Sequence, residues 1–370
     1  MINLSEPLVG EDEKQALCSV IDSGWLTMGE RVTEFEREFA HLHQMPGAVA
    51  VNSCTAGLHL CLLAHNIGPG DKVLVPSLTF VATVNAVLYV GATPIFVDIE
   101  NATTPHIALQ DAQAKLTPDT KAVIVMHYAG YLVDMLAWRA FADANNLILI
   151  EDAAHSPAIG NVGQLGDATA FSFFSNKNMS TAEGGMVFAR DPEVLAIMKN
   201  QRSHGMTTNT LDRHLGHANS YDVMRLGFNY RLDELRASIG LVQLAKLPQW
   251  NAQRRHINQY YRTLFAERCP EIVIPFAAEQ TTAAHLMPIL LPASVNRDQL
   301  MLAMRNAGVQ SSIHYPPVHK FTYYQQLFPD ITLQHTESFH VRELSIPIHP
   351  ALQEREAEYV VDTIKGLLFL

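Results

Sequence analysis

Charge is scarce in this chain. Only 17% of its 370 residues are Asp, Glu, Lys or Arg, and the basic ones are the minority, 26 against 37 acidic. A formal net charge of −11 excludes binding to a nucleic-acid backbone as the main task, because proteins that do so concentrate positive charge. A local basic pocket for a single anionic substrate stays compatible with it. Cysteine is sparse as well. Cys18, Cys54, Cys61 and Cys269 form no CxxC pair, so no thiolate metal motif is present. Cys54 and Cys61 share about one face if their segment is helical, and they read as small apolar core residues rather than a disulfide. No basic-then-apolar leader opens the sequence and no run of eighteen apolar residues occurs. The expectation is a cytoplasmic chain with no membrane span.

Repeats and low-complexity segments are also missing. What is there is a largely apolar sequence (48% hydrophobic), long enough for a large domain and a smaller one. Residues 10–23 and about 31–44 have helical patterns, the first with acidic residues in its opening turn, where they suit the helix dipole. From there strands and helices alternate. Strands are expected at 48–51, 71–77, 93–99, 121–130, 147–152, 168–174 and 184–189, with helices at 55–66, 79–91 and 134–146 between them. Apolar runs without strict alternation, separated by helices, indicate a mostly parallel sheet covered on both faces. Active groups then belong at the carboxyl ends of the strands. After a helical stretch near 231–267 the pattern shifts to strand, helix, strand (SSIHYPP) and further helices. The expected organisation is an α/β domain over 1–255, including the N-terminal helical segment, and a small α+β domain over 256–370.

Four segments carry chemistry. Phe171-Ser172-Phe173-Phe174-Ser175-Asn176-Lys177-Asn178 follows an expected strand. A lysine packed there among aromatic and small residues has its pKa lowered by desolvation and becomes a nucleophilic amine, unless it is an ordinary surface lysine in a loop. Pyridoxal phosphate (PLP) chemistry needs such a lysine to hold the aldehyde and then to move protons. The strand LILIED ends in Glu151-Asp152-Ala153-Ala154-His155. A carboxylate there can keep the PLP ring nitrogen protonated, with His155 in reach of the ring hydroxyl; the bland alternative for Asp152 is a helix N-cap. Asn52-Ser53-Cys54-Thr55-Ala56-Gly57 opens a helix with small residues, which lets a phosphate approach its positive end. Phe80 is an aromatic placed to cover one face of a flat ring, or else simply core.

Together these segments resemble the DegT/StrS-type sugar aminotransferases of the aspartate-aminotransferase fold group. The likeness covers SGWLTMG (23–29), NSCTAGLHL (52–60), residues 75–99, HYAG (127–130), EDAAH, FSFFSNKN with EGGMV, GFNYRLDELRA (227–237) and IHYPPVH (313–319). The resemblance implies PLP as cofactor, Lys177 as its Schiff-base lysine and Asp152 as partner of the ring nitrogen. It implies His155 beside the ring hydroxyl, Thr55, Ala56 and Ser172 on the phosphate, and Phe80 stacked on the ring. Asn229 matches a position that reaches the phosphate of the neighbouring subunit, which implies a homodimer with shared sites; alternatively it caps the helix of RLDELRA. Family dehydratases carry histidine in place of the lysine, so lysine here favours transamination. The flanking Phe174 and Ser175 replace the family's commoner His and Pro.

On the substrate side the resemblance points to Trp25, Thr27, His314 and Tyr315. Each has a packing alternative: Trp25 against the N-terminal helix, and the Pro316-Pro317 turn as a loop stiffener. His127 and His204 lie near this region by analogy and are equally read as structural histidines. The implied substrates are a keto sugar, linked to a nucleotide, and L-glutamate as amino donor. A free keto sugar or cyclitol ketone is the alternative acceptor, and a silent PLP-binding regulator the alternative role.

Overall fold

The apolar runs become the strands of one seven-stranded sheet. The protein is described by a computed structural model over residues 1–208 and 220–368. Helices α1 (Glu11–Ser23) and α2 (Glu30–Leu42) lead into β1 (Val49–Val51), α3 (Cys54–Ala64), β2 (Lys72–Pro76), α4 (Val81–Tyr89) and β3 (Thr93–Val97). Then come α5 (Leu109–Ala114), β4 (Thr120–Met126), α6 (Met135–Asn145), β5 (Ile148–Asp152), β6 (Ala168–Ser172), β7 (Gly185–Ala189) and α7 (Pro192–Arg202). The strand order is β1-β7-β6-β5-β4-β2-β3, and β7 alone runs antiparallel to its neighbours.

Alternate residues feed two cores. Val73 and Val75 of β2, Ala122 and Ile124 of β4 and Ala170 of β6 pack with Leu58, Leu60 and Leu62 of α3. Leu74, Val123, Val125 and Leu149 turn to the opposite face and meet Trp138 and Phe141 of α6. Two-faced burial explains why these strands read as unbroken apolar runs. Because β4, β5 and β6 are parallel, His127, Asp152 and Ser172 come to one edge. The start of α3 reaches the same edge past β7, and the approach is close. A Cβ on Gly185 would stand 2.7 Å from Phe171 O and 2.8 Å from the Cys54 N.

Three details differ from the sequence reading. The strands expected to reach residues 130 and 174 stop at Met126 and Ser172. Beyond the first, His127 turns the chain by accepting the Val133 N–H on Nδ1 at 3.2 Å. SSIHYPP is not a strand; Ser312 makes an isolated bridge to Ser345. The second strand of the small sheet is β9 (Glu343–Ile346), antiparallel to β8 (Met287–Leu290). It was hidden because two of its four buried residues, Glu343 and Ser345, are polar.

A helix of 35 residues, Glu234–Arg268, spans the change of pattern. Its first half places Leu244 and Leu247 among the aromatic residues Phe35, Phe39, Phe171 and Phe173. Its second half places Ile257, Tyr261 and Phe265 against β8, β9 and the C-terminal helix Glu354–Leu367. The division between residues 255 and 256 therefore falls inside one helix. Asp233, not Asn229, caps it, accepting the Arg236 N–H at 2.9 Å. The neighbouring Glu234 caps a different helix. Its carboxylate accepts the N–H groups of Gly29, Arg31 and Val32, each at 2.9 Å, at the start of α2. No helix among the described residues is long and apolar enough to cross a membrane.

Glu234→Ala leaves those three N–H groups without an acceptor, two of the bonds being buried. The expected loss is about 2–4 kcal/mol, read as a lower urea midpoint at unchanged m-value.

Candidate active site

A cavity of about 360 Å³ opens at the carboxyl edge of the sheet. The turn after β6, closed by the Lys177 N–H on Phe174 O at 2.9 Å, carries Lys177 into it. Its amine is enclosed, with His285 Nε2 at 3.5 Å. Burial lowers its pKa from 10.5 to about 8, outweighing the nearby Asp152 charge, which pulls the other way. The amine therefore gives up its proton far more readily than a solvated lysine does, which makes the nucleophilic form accessible.

Asp152 ends β5 and is held rather than free. Its Oδ2 accepts from Thr83 Oγ1 at 2.7 Å, and Oδ1 from the Ala154 N–H at 3.1 Å. Burial raises its pKa, while those hydrogen bonds, Lys177 and His127 oppose the rise. No helix follows it, so the N-cap alternative is overturned.

His155 follows on the same wall. Its ring lies 4.2 Å from that of His285, and its Nε2 is 2.9 Å from the Tyr315 hydroxyl. Its Nδ1 is buried without a hydrogen-bond partner among the described residues. Burial, reinforced by the Lys177 charge, holds this ring well below the usual histidine range, hence neutral. His285 is fixed by Asn178. The Asn178 amide donates to Asn251 Oδ1 at 2.8 Å and to Ala283 O at 2.9 Å. Its oxygen is thereby left to accept His285 Nδ1–H at 2.9 Å, which turns the lone pair of Nε2 to Lys177.

Thr55, Ser172, His314 and Tyr315 also line the cavity, and Phe80 stands exposed at its mouth, 6.0 Å from the Tyr315 ring. Ala56 does not reach the wall, and its N–H is taken by Ser53 Oγ at 3.1 Å, the cap of α3. Trp25 and Thr27 lie outside it; the Trp25 indole packs on Gly29, where an added Cβ would stand 2.5 Å from Nε1. Asn229 is exposed away from the cavity, its carbonyl accepting from Asn52 Nδ2 at 3.3 Å. His127 is structural: fully buried, it bonds Glu151 at 3.0 Å, and Glu151 in turn accepts from Gly163 and Gly166 N–H. His204 is an exposed turn residue with φ of 63°. Cys61 is core as expected, whereas Cys54 lines the cavity.

Thr83, Asn178 and His285 escaped the sequence reading. Thr83 falls one helical turn after Thr79, to which it is bonded at 2.7 Å, a spacing that was available as a signal. Nothing local marks His285, which comes to Lys177 from 108 residues away.

An enclosed amine, a buried carboxyl, an unpartnered His155 nitrogen, an aromatic ring at the mouth and the positive end of α3 all fit a planar, phosphate-bearing aldehyde. The DegT/DnrJ/EryC1/StrS aminotransferase family model matches residues 7–365. The spore coat polysaccharide biosynthesis protein SpsC of Bacillus subtilis (strain 168) is 35% identical, over 98% of this chain and 96% of its own. Helicobacter pylori PseC, an aminotransferase involved in the biosynthesis of pseudoaminic acid, superposes with a TM-score of 0.91 at 28% identity, covering 98% of both chains. NtdA from Bacillus subtilis, solved with bound cofactor PMP, gives 0.89 at 28% identity, over 97% of this chain and 82% of that one.

The chain belongs to the DegT/DnrJ/EryC1/StrS aminotransferase family. Its cofactor is pyridoxal 5'-phosphate and its reaction a transamination.

In cofactor-free protein, modification of Lys177 by an amine-selective reagent, followed by mass spectrometry, should rise with pH to a midpoint near 8. A midpoint at the ordinary lysine value of 10.5 contradicts an enclosed amine.

Proposed function

We propose that this sugar aminotransferase moves an amino group from L-glutamate to the keto carbon of a nucleotide-linked deoxy sugar, as a cytoplasmic homodimer. The observation that carries the reading is the meeting of Lys177, Asp152 and His155 in the lining of one cavity. Relatives named for a coat polysaccharide and for pseudoaminic acid support a sugar acceptor. The nucleotide rests on the family resemblance of the SGWLTMG and HYPPVH segments, and glutamate on its being the usual donor in that family.

When bound, the cofactor supplies an electron sink for the carbon that loses or gains the amine. The protein's residues do the rest. Lys177 would hold the aldehyde carbon, and its free amine, with a pKa lowered to about 8, could take up and return a proton. Asp152, oriented by Thr83, pairs with the ring nitrogen and keeps it protonated. His155 uses its free Nδ1 for the ring hydroxyl, with Tyr315 holding the far side of the imidazole. Thr55 and Ser172 bind the phosphate at the start of α3, where the helix dipole adds to their hydrogen bonds. Phe80, in the cavity lining, would cover one ring face. Asn229 reaches the phosphate of a partner subunit. Support for that comes from its exposure, shared by the apolar side chains of Met224 and Leu226 a few residues earlier in the chain, which a second copy could bury.

The test is a panel of keto sugars, free and nucleotide-linked, incubated with glutamate and read by mass spectrometry. Amination confined to nucleotide-linked ketones is expected; amination of the free sugars alone overturns the nucleotide, and none of either overturns the sugar. In the same preparation, borohydride should bleach the cofactor band and label Lys177, and Lys177→Ala should show neither. Asp152→Asn should keep its fold and slow amine uptake from glutamate by about a hundredfold or more, the usual scale for losing a charge-assisted contact in a closed site.

A further inference from the structure

Strand β9 carries two fully buried polar side chains, Glu343 and Ser345. They form a chain of contacts that ends at the active cavity. Glu343 Oε1 is 2.6 Å from Ser345 Oγ, and Ser345 Oγ is 2.9 Å from His314 Nδ1. The second carboxyl oxygen accepts the backbone N–H of His314 at 2.9 Å. His314 itself belongs to the wall of the cavity that contains Lys177, with Nε2 as the ring nitrogen left for a ligand.

A serine hydroxyl has one hydrogen to give. Ser345 can donate to only one of its two neighbours, and the proton count on Glu343 decides which. With Glu343 ionised, Ser345 donates to the carboxylate and accepts His314 Nδ1–H, so Nε2 carries a lone pair. With Glu343 protonated, the acid donates to Ser345, Ser345 donates to Nδ1, and Nε2 carries the hydrogen. One proton on a buried acid thus inverts a hydrogen-bonding group at the site.

The surroundings favour the protonated acid. Burial pushes the Glu343 carboxyl from 4.5 up to about 8, against the opposing effects of Ser345, the His314 N–H and Arg297. Arg297 is the cation acting on it, and its guanidinium is already committed to the carbonyls of His340 and Glu343. Tyr128 and Tyr315 also face the carboxyl, both pushed up mainly by burial and therefore neutral. Around His314 stand Lys177, His155 and His285. Burial and the Lys177 charge lower His314 to about 4, so the ring stays uncharged and the change is between two neutral tautomers.

We propose that Glu343 and Ser345 are positioning residues that set the tautomer of His314. While Glu343 keeps its proton, the imidazole offers an N–H to the cavity; when the proton leaves, it offers a lone pair. The N–H form recognises an oxygen acceptor on the ligand, such as a carbonyl, ether or phosphate oxygen. The other form recognises a hydroxyl or an ammonium. The inference concerns the ring alone and is independent of which amino acceptor the enzyme uses.

The experiment is nitrogen NMR of histidine-labelled holoenzyme at about pH 6 and about pH 10, either side of the expected change. The His314 signals are assigned by their loss in His314→Gln. Wild-type enzyme should show the hydrogen on Nε2 at the lower pH and on Nδ1 at the higher. Glu343→Gln should hold it on Nε2 at both, because its amide donates to Ser345 as the protonated acid does. Ser345→Ala cuts the chain and should abolish the change while the variant remains folded by circular dichroism. A wild-type ring with one tautomer at both pH values overturns the proposal. So does a Glu343→Gln ring that follows the wild-type change.

Discussion

An amine withdrawn from water beside a carboxylate is the constraint on which this site depends. A lysine enclosed by protein is driven toward its neutral form, and an aspartate enclosed with it toward its own. Here the two are close enough for each to oppose the other's shift, yet burial remains the larger effect on both. The result is a lysine whose proton leaves at a pH that an enzyme encounters, and an acid kept in place by Thr83 and the Ala154 N–H. Leaving either charge alone in such a cavity costs several kcal/mol, so the pair has to be supported on every side.

That support comes from layers far from the chemistry. Asn178 spends both amide hydrogens on Asn251 and Ala283, which leaves one orientation for His285 against the lysine. The contacts from Glu343 through Ser345 hold His314 in the lining of the same cavity. Asn251 lies on the long helix, as does Glu234, which fixes the start of α2. One helix therefore ties the N-terminal segment, the lysine loop and the C-terminal part of the chain together. Close backbone contact finishes the frame, with Gly185 admitting the start of α3 to the strand edge.

Much of this was legible in the sequence because it was local. An apolar run ending in Glu151-Asp152 and another leading to Lys177 each announce a strand and the polar group at its end. Parallel pairing then brings the two ends together. What stayed hidden depends on the chain folding back. His285 meets the lysine only after the C-terminal part packs on the sheet, and no spacing encodes that, whereas His314 was named through the family resemblance of its segment. β9 escaped because Glu343 and Ser345 replace apolar residues on a buried strand, which erases the pattern by which strands are found. The helix cap was misplaced for a simpler reason: Asn229, Asp233 and Glu234 all have capping chemistry, and geometry alone selects Asp233 for its own helix.

The central claim is that burial lowers the Lys177 pKa while Asp152 holds it up. The direct measurement is the pKa of the Lys177 amine in cofactor-free wild type and Asp152→Asn, by NMR of labelled lysine. Removing the negative charge should drop the value further below about 8. A value in the variant that is unchanged, or that moves back toward the ordinary 10.5, would contradict the account.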